Sequence, residues 1–292
     1  MFLEDKKYFQ VDVFGKSGMK GNPVAVFFGG KDLSTEEMQK IATWMNLSET
    51  TFVLPPTNPK ADYKLRIFDP LSEMKFAGHP TLGSAKAFLA AGHASKDSQK
   101  LIQECQLGLI DVFISSDDIL SFELPSASLI EINKEVKREF ADALKISHEM
   151  GDLLLLVDVG ARWVTGELKS KEELLNLKPD MPQLAAVSDF LGVDGVTLFA
   201  KDQNDNGPIE VRSFAPAMNV NEDPVCGSGN ASVGFYILKN KLAIGPKYTS
   251  QQGRAMGRNG ELKIELIGER VRVGGQTKVW LKGEYSTDDL NG

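Results

Sequence analysis

The sequence has few of the side chains that make cross-links and metal clusters. Its 292 residues include two cysteines, Cys105 and Cys226, and three histidines. Two cysteines are too few for a disulfide framework, and no spacing of cysteine and histidine matches a zinc site. We therefore expect a fold that depends on its hydrophobic core, with no metal and no disulfide holding it together.

The sequence also lacks clustered positive charge and long apolar runs. The net charge is −7, and the nearest approach to a basic run, Lys134–Arg138, is interrupted by acids. This pattern argues against nucleic acid or an anionic membrane as a partner. The apolar stretches fall short of the roughly 18 residues that a membrane span needs, and the first ten residues have no apolar segment typical of a signal peptide. We expect a cytoplasmic protein.

The composition that remains is that of a globular protein with a large core. Hydrophobic residues make up 42% of the chain, and its length favours two domains. Short β-rich segments such as Tyr63–Phe68 and Val196–Ala200 predominate. A capping box at Ser34–Glu37 predicts one helix, and apolar residues four apart predict another over Asn133–Ile146. The mixture indicates an α+β fold.

An internal repeat gives the most information about the architecture. Arg66-Ile-Phe-Asp-Pro70 matches Arg212-Ser-Phe-Ala-Pro216, and His79-Pro-Thr-Leu-Gly-Ser-Ala85 matches Asp223-Pro-Val-Cys-Gly-Ser-Gly229. Both offsets are about half of the chain. The repeat predicts two pseudo-symmetric halves that meet near 125–128. We assign them to residues 1–125, together with a final strand over 277–292, and to residues 126–276.

Each half of the repeat has an X-Pro dipeptide before a helix, which predicts His79 and Asp223 as two equivalent N-cap residues. An imidazole and a carboxylate at two helix starts suit divided acid–base roles. Each also has a structural alternative, because a loop histidine is common and aspartate is a good N-cap. The glycines of both helices, among them Gly78 and Gly227, predict tight packing or close approach of a ligand.

Glu49 and Cys226 are two further candidates. Glu49 lies between the capped helix and a strand, where it is either a proton carrier or a solvated charge. Its counterpart in the other half is Gly195, so a base here would occur only once. Cys226 lies where a helix dipole could lower the pKa of a thiol. Its counterpart is Leu82, so we favour a small packed cysteine.

Taken together, these residues resemble the phenazine-biosynthesis PhzF-like isomerase family, which has the diaminopimelate-epimerase fold. The resemblance runs along nearly the whole chain and is specific because its motifs occur in order. They are Gly21-Asn-Pro-Val-Ala-Val26, Glu37-Met-Gln-Lys-Ile-Ala42, Leu47-Ser-Glu-Thr-Thr-Phe52, Phe76-Ala-Gly-His-Pro-Thr81, Arg212-Ser-Phe-Ala-Pro216, Glu222-Asp-Pro-Val-Cys-Gly-Ser228 and Gln252-Gly-Arg254.

The resemblance implies two domains, each with a curved, mostly antiparallel sheet around a central helix, and an active site between them. It also implies a homodimer that needs no metal or organic cofactor. By resemblance Glu49 shuttles a proton, whereas His79 and Asp223 position the substrate and assist. Gly78, Gly227 and Ser228 line the pocket of a small-molecule substrate.

Three functions remain open from the sequence. The leading hypothesis is a cofactor-independent isomerase that moves a proton on a small amino or carboxylic acid. The second is an amino-acid epimerase or racemase that uses Cys226; against it, Leu82 stands where a second cysteine would be needed. The third is a binding protein that keeps the fold without the chemistry.

Overall fold

A computed structural model describes residues 5–15, 17–94, 98–123, 127–202 and 207–288. Its strands are β1 (Lys7–Val13), β2 (Asn22–Phe28), β3 (Thr50–Leu54), β4 (Tyr63–Phe68), β5 (Glu73–Met74), β6 (Lys100–Cys105), β7 (Gly108–Ile114), β8 (Leu120–Glu123), β9 (Ser128–Ile130), β10 (Leu155–Asp158), β11 (Arg162–Leu168), β12 (Gly195–Ala200), β13 (Ile209–Ala215), β14 (Val220–Asp223), β15 (Lys247–Gln252), β16 (Gly260–Ile267), β17 (Arg270–Gly275) and β18 (Thr277–Glu284).

The α-helices are α1 (Thr35–Met45), α2 (Gly78–Ala90), α3 (Lys134–Leu144), α4 (His148–Gly151), α5 (Lys171–Asn176), α6 (Met181–Leu191) and α7 (Gly227–Lys239). The two helices predicted from the capping box and from the apolar spacing are confirmed as α1 and α3. Ser34 caps α1 with the reciprocal hydrogen bonds of a capping box, and Asn133 caps α3. Within the described residues, no helix has the length and apolar character to cross a membrane.

The chain divides into two compact units. Unit 1 comprises Met1–Glu123 and Gly274–Gly292, and unit 2 comprises Leu124–Val273. The boundary predicted at residues 125 and 126 lies outside the described residues. The final strand, β18, pairs with the first strand, β1, within unit 1.

In unit 1 the strands pair in the order β18, β1, β2, β3, β4, β6, β7, β8. The pairs β2–β3 and β4–β6 are parallel, and the others are antiparallel. The short strand β5 pairs with β4. A mostly antiparallel sheet with two parallel pairs therefore forms the framework of this unit.

Unit 2 repeats this pattern over seven strands. Its order is β9, β10, β11, β12, β13, β15, β16, with β11–β12 and β13–β15 parallel. The short strand β14 pairs with β13 as β5 pairs with β4. The predicted α+β fold with two pseudo-symmetric, mostly antiparallel halves is confirmed.

A buried helix fills the inside of each curved sheet. Helix α2 contacts β1, β2, β3, β8 and β18, and α7 contacts β10, β11, β12 and β16. Small residues allow this close packing. A Cβ added at Gly83 would lie 2.3 Å from a methyl group of Val24, and one at Gly229 would lie 2.6 Å from the Ser213 hydroxyl. The prediction that these helices are buried within a sheet is confirmed.

The repeated Arg-x-Phe motif forms the same structure in both units. Arg66 makes two hydrogen bonds to Glu73, at 2.8 and 2.6 Å, and its guanidinium lies over the Phe68 ring. Arg212 likewise makes two hydrogen bonds to Glu222, both at 2.8 Å, and lies over Phe214. Each ion pair connects a long strand to the short strand that follows it, β4 to β5 in unit 1 and β13 to β14 in unit 2. In unit 2 that short strand, β14, ends at Asp223.

Candidate active site

In unit 1 the structure brings Glu49 and His79 together. Glu49 follows α1 and immediately precedes β3, and His79 lies in the first turn of α2. Nε2 of His79 is 3.1 Å from Oε2 of Glu49, and the two side chains are only 3% and 12% exposed. Glu49 is therefore a largely buried carboxylate against a buried imidazole, and the alternative of a solvated charge is wrong.

Two further side chains, Asn22 and Ser48, extend this contact. Nδ2 of Asn22 is 3.3 Å from Nδ1 of His79, and the Ser48 hydroxyl donates to Oδ1 of Asn22 at 3.1 Å. Asn22 is completely buried as the first residue of β2. The sequence motifs contained both residues, but no spacing rule indicated that they would reach His79.

Burial sets the protonation of the His79 ring. Removal of the imidazole from water lowers the pKa of His79 to about 3, and the backbone carbonyl of Pro23 acts in the opposite direction. The ring is therefore neutral near pH 7. A neutral imidazole carries one proton and has one acceptor nitrogen.

The predicted N-cap roles of His79 and Asp223 are wrong. Helix α2 begins at Gly78 with Ala77 as its N-cap, so His79 is already inside the first turn. Proline is tolerated in a first turn because its missing N–H has no intrahelical acceptor there, which lets the helix include Pro80. Helix α7 begins at Gly227 with Cys226 as its N-cap. Asp223 is instead the last residue of β14.

Asp223 has a buried carboxyl group at the end of its strand. It is 8% exposed, and Oδ1 accepts a hydrogen bond from the Val225 N–H at 2.9 Å. Burial raises the pKa of Asp223 to about 6, further raised by the charge of Glu222, whereas the Val225 N–H and the Cys226 thiol lower it. A carboxyl group with this pKa can exchange a proton near neutral pH.

Cys226, Gly227 and Ser228 follow Asp223 at the start of α7. The thiol of Cys226 accepts a hydrogen bond from the Gly229 N–H at 3.2 Å and lies 3.5 Å from the Ser228 hydroxyl. The indole N–H of Trp163 donates to the same hydroxyl at 3.1 Å. Cys226 is 4% exposed, as expected of a packed cysteine. Trp163 was not predicted, because an aromatic residue in a strand is usually part of the core.

Buried amides hold the start of α7 in place. Oε1 of Gln252 accepts from the Cys226 N–H at 3.1 Å and from the Asn230 side chain at 2.7 Å. Nε2 of Gln252 donates to the backbone oxygen of Asp223 at 2.9 Å. These hydrogen bonds connect the residue before the helix with its first turn, so the positions of Asp223 and Cys226 depend on each other.

The asymmetry between Glu49 and its repeat counterpart has a steric cause. Gly195 is the first residue of β12, and a Cβ added there would lie 2.1 Å from the backbone oxygen of Phe214. No side chain fits at that position, so unit 2 has no acid there. A carboxylate at this position of the repeat therefore occurs in unit 1 and not in unit 2.

The other two histidines belong to neither group. His93 packs against the rings of Phe28 and Phe88, and His148 lies at the surface with Nε2 2.8 Å from Asp142. Within the described ranges, no three residues among histidine, cysteine, aspartate and glutamate are grouped so as to hold a metal ion.

Replacing Asp223 with asparagine should stabilise the protein at neutral pH. A raised pKa means that the folded state keeps its proton between about pH 4 and 6, while the unfolded chain loses it. Stability therefore falls as pH rises through this window and is constant above it. Asp223→Asn should remove that slope and raise the free energy of unfolding at pH 7 by up to about 3 kcal/mol. Urea titrations at pH 4, 6 and 7.5 measure the pH dependence and the free energy of unfolding. The same pH dependence in Asp223→Asn as in the unmodified protein would show that Asp223 is not the group that titrates in this window.

Comparison with known proteins identifies an isomerase with the fold of PhzF proteins and hydroxyproline epimerases. The sequence profile of the family described as "Phenazine biosynthesis-like protein" matches residues 11–286. The chain belongs to this family.

Named relatives agree with the assignment. Antisense-enhancing sequence 1 of Schizosaccharomyces pombe is 39% identical, with 97% of this chain and 99% of that protein covered. Trans-2,3-dihydro-3-hydroxyanthranilate isomerase of Pseudomonas chlororaphis is 33% identical, with 93% and 99% covered. A PhzF-family phenazine biosynthesis protein from Bacillus anthracis has a TM-score of 0.81 at 20% identity, with 96% and 99% covered, and supports the fold.

Proposed function

We propose that this protein isomerises a small cyclic amino or carboxylic acid by moving a proton from one carbon to another. The observation that carries the proposal is the contact between the buried carboxylate of Glu49 and the buried imidazole of His79, 3.1 Å apart. A carboxylate with little access to water is a stronger base than one in solvent, because burial disfavours its charge. The isomerase names of the relatives support the same chemistry.

In the proposed mechanism Glu49 removes a proton from a carbon next to a carbonyl group or a double bond. The electron pair left on that carbon delocalises into the adjacent unsaturated system, and the Glu49 carboxyl group, after partial exchange of its proton with solvent, protonates a different carbon on the same face. Substrate and product then have the same atoms and the same oxidation level. The reaction needs no cofactor, since one group both accepts and donates the proton.

The group around Asp223 is proposed to bind the same substrate. Asp223 can hold an amine when charged or donate to a carboxylate when protonated, and its pKa allows both forms near neutral pH. The first N–H groups of α7, at Gly227 and Ser228, can stabilise developing negative charge. Gly78 would allow the substrate to approach the backbone at the start of α2.

The substrate class can be tested by solvent exchange. The purified protein is incubated in D2O with trans-2,3-dihydro-3-hydroxyanthranilate, with cyclic amino acids and with hydroxy acids, and proton NMR follows each compound. We expect one compound to take up deuterium at carbon and to convert to an isomer. Failure of every member of the panel to exchange would contradict the proposal.

The second candidate is an epimerase or racemase that uses the Cys226 thiol. It is favoured by the position of the thiol, which accepts from the Gly229 N–H at the start of a helix. Cys226→Ser separates the two, because serine can accept the same hydrogen bond but is a far weaker base at neutral pH. We expect turnover within about threefold of the unmodified protein. A loss of 100-fold or more would favour thiol chemistry.

We also propose a homodimer, as the family resemblance implies, and a location in the cytoplasm, as the lack of a recognisable signal peptide in the sequence suggests. The chain mass is 32.0 kDa, so light scattering coupled to gel filtration distinguishes one copy from two. A monomer at micromolar concentration would contradict the dimer.

A further inference from the structure

Four polar side chains of unit 1 lie in a row, and the first and the last of them belong to the connection between α1 and β3. Ser48 and Glu49 are neighbours between α1 and β3, and Asn22 and His79 complete the row from β2 and α2. The successive distances are 3.1 Å from Ser48 Oγ to Asn22 Oδ1, 3.3 Å from Asn22 Nδ2 to His79 Nδ1, and 3.1 Å from His79 Nε2 to Glu49 Oε2. The first two contacts are hydrogen bonds, and the third is a close approach of the two side chains without hydrogen-bond geometry.

We propose that Asn22, oriented by Ser48, is a positioning residue that keeps the proton of His79 on Nε2, the ring nitrogen next to the carboxylate of Glu49. This inference rests on the proposed function of Glu49, since it assigns the residues that prepare that carboxylate for catalysis. Neither Asn22 nor Ser48 is proposed to touch the substrate.

The argument follows from donors and acceptors. The Ser48 hydroxyl donates to the amide oxygen of Asn22, so the amide nitrogen is the end that faces the ring. An amide nitrogen only donates, so Nδ1 of His79 must accept. In a neutral ring the single proton then lies on Nε2. Nε2 lies 3.1 Å from Oε2 of Glu49, so a proton on Nε2 places partial positive charge beside the carboxylate and stabilises its charged form, the form that acts as a base.

Burial favours one tautomer of the His79 ring over the other. Asn22 is completely buried and His79 is 3% exposed, so water competes poorly for either ring nitrogen. The opposite tautomer would place two N–H groups against each other between Asn22 and His79 and two acceptors against each other between His79 and Glu49. Both contacts would be unfavourable in a site that excludes water.

The test is the tautomer of His79, read by nitrogen-15 NMR of the imidazole rings at pH 7. The chain has three histidines, and His93→Gln and His148→Gln assign the signals by elimination. We expect His79 to carry its proton on Nε2. A proton on Nδ1 in the unmodified protein would overturn the proposal, whatever the activity.

Asn22→Asp tests whether Asn22 sets the tautomer of His79, because it replaces the amide donor by a carboxylate oxygen, an acceptor of the same shape. We expect the variant to move a proton to Nδ1 of His79 and to lower kcat at least about tenfold with little change in KM. The control is Asn133→Asp, the same change at the N-cap of α3, where aspartate caps as well as asparagine. It should leave both the His79 signals and kcat unchanged.

Further outcomes separate this inference from the proposed function. An Asn22→Asp protein that folds and keeps its Nε2 proton would overturn the role of Asn22. If Asn22→Asp does not fold, Ser48→Ala replaces it, and that variant should show both tautomers because the amide is no longer oriented; an unchanged single tautomer would then overturn the proposal. Absence of any turnover would contradict the function of Glu49 but would leave the tautomer measurement intact.

Discussion

Glu49→Gln should lower turnover and solvent exchange by about 10²- to 10⁴-fold, the usual contribution of a general base. Glutamine has the shape of glutamate, and its amide oxygen can still lie next to Nε2 of His79, so the packing in unit 1 is kept. What is lost is the ability to take a proton from carbon. We therefore expect the effect in kcat, measured by NMR on the substrate that the exchange panel identifies.

The matched control for this variant is Glu36→Gln, the same change on the exposed first turn of α1. It should leave kcat unchanged, and the urea midpoint of Glu49→Gln should show that the variant is folded. A Glu49→Gln protein with turnover within about twofold of the unmodified one would rule out Glu49 as the proton carrier.

Arg212→Met should destabilise the protein by about 3–5 kcal/mol, the usual cost of leaving one charge of a buried pair alone. Arg212 is 7% exposed and Glu222 11%, and Nη1 of Arg212 also donates to the backbone oxygens of Leu174 and Leu177 at 2.9 and 3.0 Å. The substitution would leave a carboxylate and two carbonyl groups in a dry environment without their donor.

Arg66→Met is the matched control in unit 1. Its pair with Glu73 has the same geometry, but the two side chains are 19% and 18% exposed. Water can therefore replace some of the lost hydrogen bonds, and we expect Arg66→Met to lower the free energy of unfolding by about 1–2 kcal/mol. Urea unfolding compares the two variants. Equal destabilisation would show that the deeper burial of Arg212 has no consequence for stability.

The repeat made the fold predictable from sequence. Arg66 and Arg212 lie on equivalent strands and make equivalent ion pairs, so the motif that they share has a structural cause. Strands rich in β-branched and aromatic residues, such as β4 and β12, were also predicted. The strand β15 was missed because Lys247–Gln252 is polar, although Ser250 and Gln252 are completely buried. Their hydrogen bonds to Asn230 stabilise this burial, and such partners are not visible in a sequence pattern.

The sequence supplied the candidate residues but not their local geometry. Glu49 and His79 were expected to work together and lie in contact. The helix starts were placed wrongly because His79-Pro80 fits inside a first turn, whereas Asp223-Pro224 ends a strand. Trp163 contacts Ser228, and Asn22 contacts His79. Both contacts depend on strand register, which the sequence does not encode locally.

The stereochemistry of proton transfer is the most direct test of a single carboxylate acting as both acid and base. The substrate found in the exchange panel is converted in D2O, and NMR determines on which face of the product ring the new deuterium lies. One base at Glu49 predicts delivery to the face from which the original proton was removed. Delivery to the opposite face would require a second base and would contradict the account.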